Sequence, residues 1–222
     1  MARTMRPAEA TTASASPPSR RRRRTPEVAR REILDATATL LGKGEFADLT
    51  VETVMALAGM HRSSFYHYFT DLSDALLQLM DTAQAELLAS AEPYLTGKSH
   101  GPDGLRSAIR GSAEAWAKHR DVLLAVHDGG AHSRLTERYR AIVDEWGRVA
   151  ADKLRAERRA GRTAVKRPGD IASALTLMNI NVFAERLGRA DDSAATVAGT
   201  LSQIWISTIY PEALNRTKPG AA

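Results

Sequence analysis

Residues 60–69 read MHRSSFYHYF, which places two phenylalanines, two tyrosines, two histidines and an arginine in ten positions of a chain that holds only four Phe and five Tyr. On a helix over 62–69, Phe65 and Phe69 fall at i, i+4 on one stripe behind Met60, and are expected to pack on Val54 and Leu57 of the preceding helix. Ser63 and His67 share the opposite side, flanked by Ser64, Tyr66 and Arg62. Small hydroxyls, an imidazole, a phenol and a fixed guanidinium form a surface for phosphate oxygens and base edges. Short Ser side chains let a backbone approach a major groove, Arg62 can pair with a guanine, and Tyr66 and His67 can donate to phosphates.

Such a stretch needs a scaffold, and the flanking residues supply one. Pro26 and Glu27 suit a helix start, and Ile33, Leu34, Ala36, Leu40 and Leu41 give it an apolar stripe of period near 3.6 before Gly42 and Gly44 end it. Thr50 is the expected N-cap of a short second helix with Val51, Val54, Met55 and Leu57, closed by Ala58-Gly59. Two short helices around a tight Gly turn, the second with a donor-rich outer face, make a helix-turn-helix.

The rest of the chain also reads as helix. Asp71 and Asp74 start a fourth helix carrying Leu72, Leu76, Leu79, Met80 and Leu87, with Pro93 and the Gly97–Gly104 stretch expected to break it. Further helices are expected over about 104–118, 121–128, 133–160, 169–188 and 193–209. No strand-like alternation of useful length occurs, so the fold class is all-α. Ile171, Leu175, Met178 and Val182 form one stripe, and Ile180, Phe183 and Leu187 another. Val197, Leu201, Ile204, Trp205 and Thr208 line the final helix. Apolar surface on several sides favours a homodimer joined through these last two helices.

Composition removes several classes of function. With no cysteine there is no disulfide, thiolate nucleophile or Cys-ligated metal. His119, His127, His132 and Asp128 lack the i, i+4 or loop-cluster spacing of a zinc site. None of the G-x-S-x-G, P-loop, G-x-G-x-x-G or H-E-x-x-H patterns is present, so no catalytic residue, metal or cofactor is expected. No apolar run reaches the roughly 20 residues that span a bilayer, and no apolar signal segment opens the chain, so a soluble cytoplasmic protein without membrane contact is expected. The formal charge of +5 is concentrated at the start: residues 1–26 hold seven Arg against Glu9, and the remainder sums to 24 basic and 25 acidic residues, or −1. The first 25 residues, poor in large apolar side chains, are expected to be a disordered arm.

The segment ILDATATLLGKGEFADLTVETVMALAGMHRSSFYHYFTDLSDALL resembles the N-terminal DNA-binding domain of the TetR family of bacterial transcriptional repressors, through its Ala-Gly turn, the 65–69 aromatic run and Leu49-Thr50-Val51. ALTLMNINVF (174–183) and IWISTIY (204–210) are similar to the EthR-like branch of that family. Two departures are visible: His61 stands where the family commonly has Ser, and Leu72 where it commonly has a phosphate-contacting Lys. The three tryptophans read as core or as a ligand cage, and Asn179, an amide among apolar neighbours, must find a partner in protein, water or ligand. The resemblance implies an apolar effector channel whose candidates are Trp116, Trp146, Thr176, Asn179, Phe183 and Trp205, with Thr176 in place of a second Asn.

These readings combine into one expectation. Residues 1–25 form an arm, 26–71 a DNA-binding domain and 72–222 an effector-binding and dimerisation domain. Arg62, Ser63 and Ser64 read bases, and Thr50, Tyr66 and His67 hold phosphates of double-stranded DNA on an inverted-repeat operator. Residues 27–71 carry four basic and seven acidic residues, so Arg20, Arg21, Arg22, Arg23 and Arg24 are expected to supply the sequence-independent attraction. A small apolar effector then releases the dimer. The competing readings are a nonspecific nucleoid-type DNA binder and a small all-helical enzyme.

Overall fold

The first helix, α1 (Pro26–Leu41), starts where Thr25 accepts a hydrogen bond from the Val28 amide and Pro26 occupies the first turn. In this computed structural model, which describes residues 24–44, 48–128, 133–190 and 192–215, the described residues contain helices and no strand. The second helix, α2 (Val51–Leu57), is closed at its start by a capping box in which Thr50 and Thr53 bond each other's backbone amides. Gly59 then turns the chain with φ +64°, a conformation that glycine adopts without strain.

The third helix is shorter than its spacing predicts. Only Arg62–Phe65 (α3) is α-helical, and residues 66–68 continue as a tighter turn in which His67 N–H donates to Ser64 O and Tyr68 N–H to Phe65 O. His61 gives no side-chain cap. The tightening lets Phe65 and Phe69 both bury, at 0% and 2% exposure, with ring centroids 5.4 Å apart. They meet Ile33, Ala36, Val54, Met55 and Ala75 in one cluster. Leu57, expected there, stays 48% exposed because the last turn of α2 faces outward.

The fourth helix corrects a second expectation. α4 (Leu72–Leu95) begins on a reciprocal cap, with Asp71 accepting from the Asp74 amide and Asp74 from the Thr70 amide. It then runs through Pro93. The missing Pro N–H would have paired with the carbonyl of Ala89, which lies on the exposed side, so water can satisfy that carbonyl while Tyr94 packs inward. α5 (Gly101–Lys118) starts three residues before the expected boundary at 104. It presses closely on α4, where a methyl on Gly111 would sit 2.9 Å from Ser90 Cβ, and on the connecting turn, where one on Gly104 would sit 2.9 Å from Ser99 Oγ.

The remaining elements are α6 (Arg120–Asp128), α7 (Ser133–Arg159), α8 (Pro168–Val182), α9 (Ala194–Ile209) and α10 (Pro211–Asn215). Between α8 and α9, residues Phe183–Leu187 form one wide π turn, a local under-winding that the period of 3.6 does not reveal. α6 packs among α1, α4, α7 and this turn. Its Val122 and Val126 join Leu41, Leu76, Met80 and Leu135 in a cluster between the helix-turn-helix and the larger C-terminal core. On α9 the buried residues are Val197, Ala198, Leu201, Ser202, Trp205, Ile206 and Ile209. Ile204 and Thr208 of the same stripe face out with Leu177 of α8.

Candidate nucleic-acid interface and internal cavity

The outer face of the helix-turn-helix presents the expected polar set. His61, Arg62, Ser63, Tyr66 and His67 are exposed and Ser64 is half-buried. Tyr66 is 55% exposed, its ring held edge-on by Phe65 at 5.6 Å. Among the described residues, no side-chain hydrogen bond or ion pair occupies Arg62, Ser63, Ser64, Tyr66 or His67. Thr50 is exposed, but its hydroxyl is engaged with Thr53 in the cap, so it positions α2 before anything else.

The arginine run divides. Arg20, Arg21, Arg22 and Arg23 lie outside the described residues. Arg24 is described, and its guanidinium is already in use: Nε pairs with Glu32 at 2.7 Å, Nη1 donates to Gly59 O at 3.2 Å and Nη2 to Ala58 O at 3.5 Å. Cation and carbonyls meet favourably at the end of α2. Arg24 is therefore a clasp between the start of α1 and the turn, in place of the free phosphate contact expected of it. An isolated arginine in a run of five gives no sequence signal for that role.

In the C-terminal half, a cavity of about 150 Å³ opens between α4, α5, α7, α8 and α9. Trp116, Trp146, Thr176, Asn179, Phe183 and Trp205 all line it. Trp205 Nε1–H donates to Asn179 Oδ1 at 2.8 Å, which answers what the amide pairs with. The Asn179 Nδ2 donors have no acceptor among the described residues. Trp116 and Phe183 pack with centroids 6.2 Å apart. The wall also includes residues that the sequence did not single out, notably Gln84, Tyr94, Tyr139 and Lys153.

Gln84 and Tyr94 are polar lining residues near the two ends of the cavity along α4, whose wall runs from Met80 to Leu95. Near the helix-turn-helix, Gln84 donates to Glu145 and accepts from Arg138, which also binds Asp81. At the far end lies a buried polar network. Glu157, 0% exposed, accepts from Arg162 through both oxygens, from Tyr210 at 2.8 Å, and pairs with Lys153 at 2.9 Å. Burial pushes the Glu157 carboxyl up, but the bonds from Arg162, Lys153 and Tyr210 outweigh it and hold the group at about 2. Burial raises the neighbouring Tyr94 phenol to about 12. In the sequence Lys153 and Glu157 are an ordinary i, i+4 pair, indistinguishable from a solvated one.

Comparison with known proteins decides what this architecture is. Residues 33–74 match the family described as bacterial regulatory proteins, tetR family, and residues 105–211 match the C-terminal domain of the transcriptional regulator EthR. The chain belongs to the TetR family. Among relatives of this TetR-family chain, the HTH-type transcriptional regulator EthR of Mycobacterium tuberculosis is 29% identical over 186 residues, covering 81% of this chain and 86% of the relative. A TetR-family transcriptional regulator from Syntrophomonas wolfei shares the fold with a TM-score of 0.70 at 13% identity, over 82% of this chain and 95% of that one. SmeT, solved as a complex with triclosan, does so with a TM-score of 0.70 at 19% identity, over 82% of this chain and 91% of SmeT. The protein is accordingly a DNA-binding transcriptional regulator, and its families and relatives are regulators and not enzymes. No helix among the described residues is long and apolar enough to cross a membrane.

Proposed function

We propose that the protein is a dimeric repressor released from an inverted-repeat operator by a small, mostly apolar effector. One observation carries this reading. α4 is a single unbroken helix, about 36 Å long at the usual 1.5 Å per residue. Its Ala75 sits in the core under the reading helix, and its Gln84, Leu87, Ala91 and Tyr94 wall the cavity. A molecule that changes the cavity's width therefore acts on the element that holds the DNA reader. Release requires that it bind the DNA-incompetent arrangement more tightly, by about 10⁴-fold for a shift from 1:99 to 99:1.

In this mechanism residues 26–71 read DNA and 72–222 bind effector and partner. Arg62, Ser63 and Ser64 address bases, while Tyr66, His67 and the arm address phosphates. Two copies meet through α8 and α9, where Leu177 at 46% and Ile204 at 39% exposure lie on an outward face. Two reading helices then address half-sites about 34–36 Å apart.

Selection of the full-length protein against a random duplex pool tests the reading. The expected result is enrichment of an inverted repeat bound at least about 10³-fold more tightly than unselected DNA. Retention of every duplex alike would favour the nonspecific nucleoid-type reading instead. On the selected duplex, Arg62→Ala should cost about 1–3 kcal/mol per half-site and relax the base preference at one position, measured by fluorescence anisotropy.

Asn179→Ala should leave affinity for the selected duplex within about threefold. It should also weaken release by those members of an apolar compound library that free the parent from DNA, because the cavity loses its open amide donors. Loss of DNA binding in the same variant would make Asn179 a core residue only.

A further inference from the structure

The cavity wall contains no aspartate or glutamate and one lysine, Lys153. That lysine is 4% exposed as a side chain. Its Nζ pairs with Glu157 Oε1 at 2.9 Å, lies 4.4 Å from the centroid of the Tyr94 ring, and reaches Ser99 O only at 3.5 Å. Glu157 is shared, for Arg162 also binds both of its oxygens at 2.9 and 3.0 Å. Two cations thus converge on one buried carboxylate, and the local formal charge is +1 beside an apolar chamber. Arg162, 39% exposed, meets the carboxylate from the solvent side, whereas Lys153, 4% exposed, shares it from the chamber side and is the cation held at the wall.

The position of this charge matters as much as its sign. α7 runs parallel to α4, since Arg138 meets Asp81 near the helix-turn-helix and Lys153 meets Tyr94 at the other end. Along α4 the lining residues run from Met80 to Leu95, a length of about 22 Å at 1.5 Å per residue. The chamber is long, and its charged end is the one away from the DNA reader.

We infer that the effector is an elongated apolar molecule that ends in a carboxylate, and that Lys153 receives this carboxylate at the end of the cavity beside Tyr94. The inference rests on the cavity being the effector site and names the chemistry of what enters it. Asn179 lies along the wall between α8 and α9, so the hydrocarbon passes its open amide before the anion meets the ammonium. A neutral or cationic terminus would leave the same hydrocarbon contacts and forfeit, or oppose, the charge-assisted bond.

Three ligands with one chain length test it: decanoate, decanol and decylamine, each kept below its micelle concentration. Binding to the full-length protein is measured by quenching of the tryptophan fluorescence, since Trp116, Trp146 and Trp205 all line the cavity. Decanoate should bind about 10- to 100-fold more tightly than decanol, with decylamine weakest. Lys153→Met should shrink the decanoate preference to about twofold and leave decanol affinity in place. Glu157 keeps Arg162 and Tyr210 in that variant, and an unchanged melting curve confirms the fold. The wild-type ranking stands as a test without any variant. Equal binding of decanoate and decanol, or tighter binding of decylamine, overturns the carboxylate assignment while the cavity remains an effector site. Binding of none of the three overturns the effector reading of the cavity together with this inference.

Discussion

Removal of residues 1–23 will reduce operator affinity by two or more orders of magnitude near 0.15 M salt and will flatten its salt dependence. The folded reader explains the size of the effect. Residues 27–71 have four basic and seven acidic residues, and Arg24 spends its charge on Glu32 and two carbonyls. Little cation is left on the reading domain to displace counterions. If Arg20 to Arg23 of both subunits each neutralise one phosphate, the slope of log K against log salt falls by about 7, at roughly 0.9 per phosphate. The truncation stops at residue 23 so that the Arg24 clasp, and with it the turn, stays intact. Anisotropy titrations at four salt concentrations measure the slope, and an unchanged slope would assign the attraction to the folded domain.

Glu157→Gln will destabilise the protein by about 3–5 kcal/mol at neutral pH, because it leaves Lys153 facing Arg162 with no carboxylate between them. The pH dependence follows from the direction of the shift. The carboxyl is held at about 2 in the folded protein against 4.5 ordinarily. Its stabilising contribution is complete above pH 4.5 and disappears as the pH falls from there toward 2. A shift of this size corresponds to roughly 3 kcal/mol. The difference between parent and variant should therefore be constant from pH 7 to 5 and shrink progressively below pH 4.5. Urea unfolding at pH 7, 5, 4 and 3 measures it. A difference that stays constant down to pH 3 would show that the carboxylate's charge is not what holds the network.

How far the sequence discloses this molecule depends on whether a residue's role is local. The helix-turn-helix was legible because each of its signals acts within a few positions: Thr50 with Thr53, Gly59 at the turn, Phe65 with Phe69. The π turn at Phe183–Leu187 was not legible, since it packs against α5, α6 and α9, and the first two of these lie far from it along the chain. Pro93 misled because its effect depends on which side of α4 faces water. Trp116, Asn179 and Trp205 were drawn together by family resemblance, as nothing in their spacing brings α5, α8 and α9 into contact. Lys153 escaped notice altogether. Burial is a property of the fold, and only burial separates it from the many surface lysines and arginines of the chain.

Gly104 and Gly111 of α5 have a mechanical consequence. Where Gly111 abuts Ser90 of α4, a hydrogen atom stands in for a methyl group and the two helices meet at close approach, while Gly104 closes on Ser99 of the connecting turn. The distal third of the long helix is thereby riveted to its neighbour. A swing of that helix about this seam would displace its far end most, so a modest spreading of the chamber walls would arrive magnified at the helix-turn-helix.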